Sequence, residues 1–418
     1  MKLLKLPQRK IDPARTPNML ARHLFSSYEH YRVDHLGPRN CNHAEISKEV
    51  HSLVAQSKGL FGLEELGKSL EGRSINFVSC GKGSQRILLW SQMHGDEYTA
   101  TLALMDIFNF LVRRVGEEMW VQEMLEETTL YFIPMLNPDG AERRQRRTAQ
   151  NIDMNRDAGA LMTPEAKLLR HAQQRLKPQF GFNLHDQELS TVGDTREVTA
   201  IALLAPPVDR KKSTPMVRVR AMRVAALMTR VLSQVIPKNI ATYDDAFEPR
   251  AFGDNMQLWG TSTVLIESGH WPNDREKNFI RKLNYVGILT ALRCIGNGSY
   301  QDAELDLYKE LPQNGKAIYD IIIRDVVLVG DRHLAENAKE GDGHLCSVDI
   351  GLTIPTNTNP NPLVVTVKDV GDLSTYIALE YIAGHKRRIA SSFLTLEQSL
   401  PLATLLDKLQ LYHHAKDP

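Results

Sequence analysis

Apolar and polar positions along this chain follow two periods in alternation. Residues Ala44 to Ser57 repeat apolar side chains at helical spacing, whereas Ser74 to Cys80 and Arg86 to Gln92 are short β-rich runs separated by Gly81-Lys82-Gly83, which suits a hairpin. Tyr98 to Arg113 returns to the helical period, Thr128 to Pro134 reads as a strand, and Pro164 to Leu176 reads as a helix. Strand candidates follow at Gln179 to His185 and Glu197 to Leu204, then a helical pattern from Pro215 to Ile236 with Thr214 ahead of the proline as a start signal. Thr263 to Glu267 is again strand-like, and Asp274 to Ile295 helical. Strands alternating with helices of this length predict an α/β domain whose mixed, mostly parallel sheet is covered by helices on both faces.

The texture changes after about Ser299. Ile318 to Val329, Cys346 to Ile354 and Leu363 to Val370 are β-rich, and Gly, Asn and Pro clusters separate them, Thr356 to Pro362 reading as a loop. The expected organisation is an N-terminal extension over 1–60, a main α/β domain over 61–298 and a small β-rich module over 299–418. No fixed-period repeat is visible, which argues against solenoids and propellers.

At 418 residues, with 42% apolar and 24% charged side chains, the chain has the composition of a packed globule and exceeds the size of one ordinary core. Its formal charge of +1 supplies no global field toward nucleic acid or anionic lipid, so neither is expected as a partner. The basic N-terminal peptide lacks a following apolar run, and no stretch of about 18 apolar residues occurs. Cys41, Cys80, Cys294 and Cys346 are too scattered for a disulfide framework or a Cys-x-x-Cys zinc site. Reduced thiols without a secretory signal imply a cytoplasmic location.

Candidate chemistry gathers at the ends of the expected strands. His94 and Glu97 follow the run ending near Gln92, on a strand-to-helix turn where side chains three apart can converge. Zinc takes imidazole and carboxylate donors, and catalytic sites commonly use three protein ligands, so a third donor is required. Further along come Asn137-Pro138-Asp139-Gly140, read as a turn, and Asp153-Met154-Asn155-Arg156; His185 and Glu267 each close an apolar run. Ligands in open α/β sheets bind beyond the carboxyl ends of strands, where all of these residues fall.

With this set in order, the chain resembles the zinc carboxypeptidases of the carboxypeptidase A-like, or funnelin, family over roughly residues 60 to 295. The resemblance implies one Zn²⁺ held by His94, Glu97 and His185, with Glu267 as general base. It further implies that Asn155 and Arg156 hold the substrate's terminal carboxylate and that Arg146 polarises the scissile carbonyl, although Arg143, Arg144 and Arg147 crowd the same stretch. Asp153 is expected to accept from the far nitrogen of His94 and fix its tautomer.

Departures from the family pattern are also present. Digestive members carry a tyrosine upstream of the general base, which Tyr243 matches weakly, and an arginine where Asp96 stands. The side-chain pocket is expected near Phe252 to Asp254, with Arg250 read either as favouring an acidic group or, equally, as a solvent-facing arginine. The reading reached is a metallocarboxypeptidase acting on a peptide or peptide-like substrate with a free carboxylate. An N-acyl amino acid deacylase on the same zinc architecture is the enzyme alternative, and a zinc-containing binding protein without turnover the non-enzyme one. Glu267 opposes the last, since a binding protein needs no base beside an open coordination position.

Overall fold

The structure is a computed structural model that describes residues 14–330, 345–355 and 362–410. Thr356 to Asn361 of the expected loop and the first thirteen residues lie outside the described residues. The chain divides into two compact units: one of residues 1–186, 201–268 and 276–312, the other of 187–200, 269–275 and 313–418. This partition does not follow the expected divisions at 60 and 298.

The first unit is built on an eight-stranded mixed sheet. Its strands are β1 (Gly62–Lys68), β2 (Ser74–Gly81), β3 (Gln85–Ser91), β4 (Thr128–Ile133), β5 (Phe180–Asp186), β6 (Ile201–Leu204), β7 (Ile240–Thr242) and β8 (Ser262–Ser268). Their spatial order is β1-β2-β4-β3-β5-β8-β6-β7, and β4, β3, β5 and β8 run parallel to one another. The helices are α1 (Pro17–Ser27), α2 (His43–Gln56), α3 (Thr99–Arg114), α4 (Met119–Glu127), α5 (Pro138–Arg143), α6 (Pro164–Leu176), α7 (Met216–Leu232), α8 (Phe252–Leu258) and α9 (Asn278–Gly296). The expected α/β class with a mixed sheet flanked by helices is what the chain adopts.

Strand alternation divides the sheet's two faces. Leu88 and Trp90 of β3 pack with Leu169 of α6 and with Phe252 and Met256 of α8, while Ile87 and Leu89, equally buried, face the other way. Removing a Leu or Phe of this kind from water contributes roughly 1.5–3 kcal/mol per side chain. Residues 28–36 are locked into the same unit: Asp106 accepts from Tyr28 Oη at 2.9 Å, Val33 N at 2.8 Å and Arg281 Nε at 2.6 Å. Arg281, 1% exposed, also donates to the carbonyls of Leu36 and Val33. A buried pair with each guanidinium nitrogen hydrogen-bonded ties α9 and α3 to the N-terminal segment, because leaving either charge alone would cost several kcal/mol.

Two local expectations are corrected. β2 and β3 form no hairpin, because β4 inserts between them, antiparallel to β2 and parallel to β3. A Cβ on Gly83 would stand 1.9 Å from the Glu127 carbonyl carbon, so that glycine admits the incoming backbone at the start of β4. Asn137-Pro138-Asp139-Gly140 opens the short helix α5, with Pro138 at its first turn and Asn137 Oδ1 accepting from Gly140 N as its cap.

The second unit holds a six-stranded sheet of β9 (Ile318–Val329), β10 (Leu345–Thr353), β11 (Val364–Gly371), β12 (Ile377–Ala383), β13 (Arg388–Ala390) and β14 (Ser399–Pro401). Ile321, Ile323, Ile350, Leu352, Val365 and Val367 form its core with Leu405 and Leu409 from the C-terminal helical turn. Among the described residues no helix is long and apolar enough to cross a membrane.

Candidate active site

Because β3, β5 and β8 are parallel neighbours, their carboxyl ends open on one edge of the sheet, and Glu267 of β8 stands in register beside His185 of β5. β4 lies on one side of β3 and β5 on the other, so the chain reverses its direction of travel across the sheet here, at the kind of switch point beyond which open α/β sheets bind ligands. After Ser91 the chain turns sharply through Gln92, whose left-handed backbone (φ 51) is held by its own side chain: Nε2 donates to Gly95 O at 2.9 Å and Oε1 accepts from Thr101 Oγ1 at 3.0 Å. Gly95 passes the start of α5 at backbone contact, a Cβ there falling 2.0 Å from the Gly140 carbonyl carbon. Asn137 Nδ2 supports the same turn from Met93 O, at 3.2 Å.

The turn delivers His94 and Glu97 against His185. Both imidazoles present Nδ1 to one carboxylate, His94 at 2.6 Å from Glu97 Oε1 and His185 at 2.7 Å from Glu97 Oε2. Their donor atoms all lie within 4.8 Å of one another, and each of the three residues is less than a tenth exposed. Two imidazole nitrogens and a carboxylate fit a catalytic zinc site, which keeps a further position open. The surroundings fit as well, because Arg146 Nη1 lies 3.1 Å from His94 Nδ1 and 3.3 Å from Glu97 Oε1, so positive charge is already drawn to the rim of the donor set.

Asp153 supports this cluster from behind: its Oδ1 is 3.1 Å from His94 Nε2 and accepts from Asn155 N at 2.9 Å, while its Oδ2 accepts from Arg146 at 3.1 and 3.3 Å. Of the four crowded arginines, Arg146 is the one beside the donors. Arg143 turns to Glu71 and the Asp139 carbonyl, Arg144 to the Arg39 carbonyl and Arg147 to the Asn151 carbonyl.

Burial and pairing set the charges. Burial alone would raise Glu97, but the two imidazoles hold it far below the usual carboxylate range. Asp153 follows the same pattern, burial opposing and His94 and Arg146 prevailing. Burial works against a charged His94, yet Glu97 and Asp153 leave its pKa raised, whereas burial keeps that of His185 down. Burial, with Glu97 and Asp186 nearby, pushes Glu267 well above the carboxylate range. A divalent cation among the donors would act on Glu267 in the opposite direction.

The residues expected to grip a carboxylate are differently engaged. Asn155 Oδ1 accepts from Phe252 N at 2.9 Å, Arg156 Nη1 donates to Asn155 O at 2.8 Å, and Arg156 Nε lies 3.3 Å from Glu248 Oε2. Glu248 is held down to about 2, chiefly by Arg250, whose Nε and Nη2 donate to it at 2.9 and 2.8 Å. Arg250, largely exposed, is paired with Glu248 in this structure. Phe252 packs in the core, while Asp254, with its pKa raised to about 6 by burial, accepts from Glu248 N at 3.0 Å. The sequence reading passed over Asp186, Lys277 and Glu248. Asp186 carried a signal in its place next to His185, and the other two had none.

The fold is shared with solved metallo-carboxypeptidases, and the His94, Glu97 and His185 donor set could hold a metal ion. In sequence, residues 46–192 match the family model described as zinc carboxypeptidase. Carboxypeptidase SOL1 of Arabidopsis thaliana is 24% identical over 144 residues, covering 33% of this chain and 29% of that protein. An uncharacterized protein of Zymomonas mobilis is 31% identical over 145 residues, 33% and 37% of the two chains, and carboxypeptidase A2 of Rattus norvegicus is 26% identical over 98 residues, 23% and 24%. The match thus spans 24–37% of these relatives' lengths. The fold is shared with a metallo-carboxypeptidase from Burkholderia cenocepacia (TM-score 0.51, 14% identity, 62% of this chain and 69% of the other). It is likewise shared with carboxypeptidase A from Helicoverpa armigera (TM-score 0.50, 16% identity, 62% and 74%).

Proposed function

We propose that this chain is a zinc-dependent metallocarboxypeptidase that releases the C-terminal residue of a peptide or peptide-like substrate bearing a free carboxylate. One Zn²⁺ would be held by His94, Glu97 and His185. The observation that carries this reading is the convergence, at three parallel strand ends, of a buried His-Glu-His donor set and a separate carboxylate, Glu267, in register with His185 and without a hydrogen-bond partner among the described residues.

When bound, zinc lowers the pKa of a water ligand toward about 7 and polarises a carbonyl. Glu267 would then accept the water proton and pass it to the leaving amine, a divalent cation among the donors favouring the ionised carboxylate that this requires. Arg146 adds positive charge where the carbonyl oxygen becomes negative. Asp153 keeps His94 in the tautomer that frees Nδ1 for the metal. Arg156 takes the terminal carboxylate by charge-assisted hydrogen bonds, exchanging the single contact that Glu248 makes. A cytoplasmic setting fits the four free thiols.

The test is mass spectrometry of a mixed library of free-acid peptides and N-acyl amino acids before and after incubation with zinc-loaded protein. Loss of single C-terminal residues is expected. Loss of acyl groups instead would identify a deacylase, and an unchanged library would leave a zinc-binding protein without turnover.

A further inference from the structure

The first unit contains a charged pair that the proposed chemistry does not use. Asp186 follows His185 at the end of β5, and Lys277 opens α9, only 9% exposed. Lys277 Nζ donates to Asp186 Oδ2 at 3.3 Å and to the Ser268 carbonyl at 3.2 Å, Ser268 being the residue after Glu267. The same Asp186 oxygen accepts from Thr99 Oγ1 at 2.6 Å, two residues beyond Glu97. Asp186 Oδ1 is buried without a partner, so the carboxylate is held entirely through Oδ2. Lys277 also occupies the left-handed region (φ 54), a backbone state that an L side chain adopts at a cost. Asn284 of α9 holds Ser268 from the other side, Nδ2 donating to its Oγ at 2.9 Å.

Three elements that carry the site therefore meet at one ammonium: the strand bearing His185, the strand bearing Glu267, and, through Thr99 and Asp186, the helix start behind Glu97. We infer that Lys277 is a positioning residue for Glu267, its ammonium tying the end of β8 to the end of β5 and so setting where the Glu267 carboxylate stands relative to the metal donors. This rests on the general-base reading of Glu267. Parallel strand ends are joined by no ladder beyond their last pair, and a displacement of about 1 Å of a reacting group costs up to roughly 100-fold in rate. Asp186 and Ser268 are the last pair of the β5–β8 ladder, so the ammonium clamps the ladder where it ends, one residue beyond Glu267.

The experiment measures kcat and KM on an N-acyl dipeptide free acid, and the zinc dissociation constant by chelator competition. It uses Lys277→Met and Lys277→Arg, each alone and combined with Glu267→Gln. Lys277→Met should lower kcat by about 10- to 100-fold, leaving KM and zinc affinity within about threefold, and Lys277→Arg should restore most of the loss. In the Glu267→Gln background the same change should add no more than about twofold, since the residue it positions is already disabled. Should Lys277→Met not fold, Lys277→Gly takes its place, glycine accepting φ 54 without strain. Normal kcat in Lys277→Met, an equal loss in both backgrounds, or loss of zinc would each overturn the inference while leaving Glu267 as base. Normal turnover of Glu267→Gln would overturn the base and the inference together.

Discussion

Two halves of the candidate site solve the problem of holding charge in opposite ways. His94, Glu97 and His185 are 2%, 7% and 2% exposed, and each has its nitrogen or oxygen committed to another member of the set. Arg156, Glu248 and Arg250 have side chains 40%, 28% and 62% exposed and form a chain of ion pairs at the protein surface. Buried charges cannot exchange partners cheaply, because the intermediate state leaves one of them alone in a poorly screened interior. Exposed pairs are worth roughly 0–1 kcal/mol and exchange at little cost. The buried half is suited to fixing a metal, and the exposed half to releasing Glu248 in favour of an incoming carboxylate.

The largest expected effects belong to the buried half. His94→Ala or His185→Ala should weaken zinc binding by more than about 100-fold, the upper range for losing a mere supporting partner, and turnover should vanish with the metal. Elemental analysis after dialysis reads this, and stoichiometric zinc in the double variant would place the metal elsewhere. Glu267→Gln comes next: zinc stays bound while kcat falls roughly 100-fold or more, since the amide cannot take a proton. Turnover near the wild-type rate would remove Glu267 from the chemistry.

The exposed half should respond less. Arg156→Ala is expected to reduce kcat/KM for a free-acid substrate by about 10- to 30-fold, near 1.4–2 kcal/mol, because a half-exposed guanidinium leaves no deeply buried charge stranded when its partner goes. The matched amide substrate should be unaffected. A loss of a thousandfold or more would mean that Arg156 is sealed from water when substrate binds, and the contrast between the two halves would shrink accordingly.

The last effect concerns stability and leaves catalysis aside. Asp254 has its folded pKa raised to about 6 by burial. The folded protein therefore binds that proton more tightly than the unfolded chain, so its stabilising contribution is complete below about pH 4 and is lost as pH rises through about 6. Asp254→Asn keeps an oxygen to accept from Glu248 N and has no proton to lose. Its stability relative to wild type should climb by at most about 3 kcal/mol between pH 4 and 7, and then level off. Denaturation curves at both pH values check this. An unchanged gap between the two proteins would show that Asp254 titrates as it does in the unfolded chain.

Much of this arrangement was legible in the linear pattern. The helical period over Pro164 to Leu176 became α6 with the same bounds, and Thr263 to Glu267 lies within β8. Strand ends bearing His185 and Glu267 could be recognised because apolar runs mark buried parallel strands and their ends mark the crevice. What misled was adjacency: Gly81-Lys82-Gly83 joins two consecutive strands that the fold separates by inserting β4. Turn residues report local bending and say little about which distant strand will pair.

The sequence by itself determined the class of fold, the alternation of elements and the donor types available at the strand ends, since periodicity, capping and metal-ligand chemistry are carried by residues close together in the chain. Only the tertiary structure decided which of four neighbouring arginines stands beside the donors, that Arg250 serves Glu248, and that Lys277 joins Asp186 to Ser268. Lys277 and Asp186 are 91 positions apart and 3.3 Å apart in space. Charge acts through space with a strength set by distance and burial, and neither quantity is written locally in the order of residues.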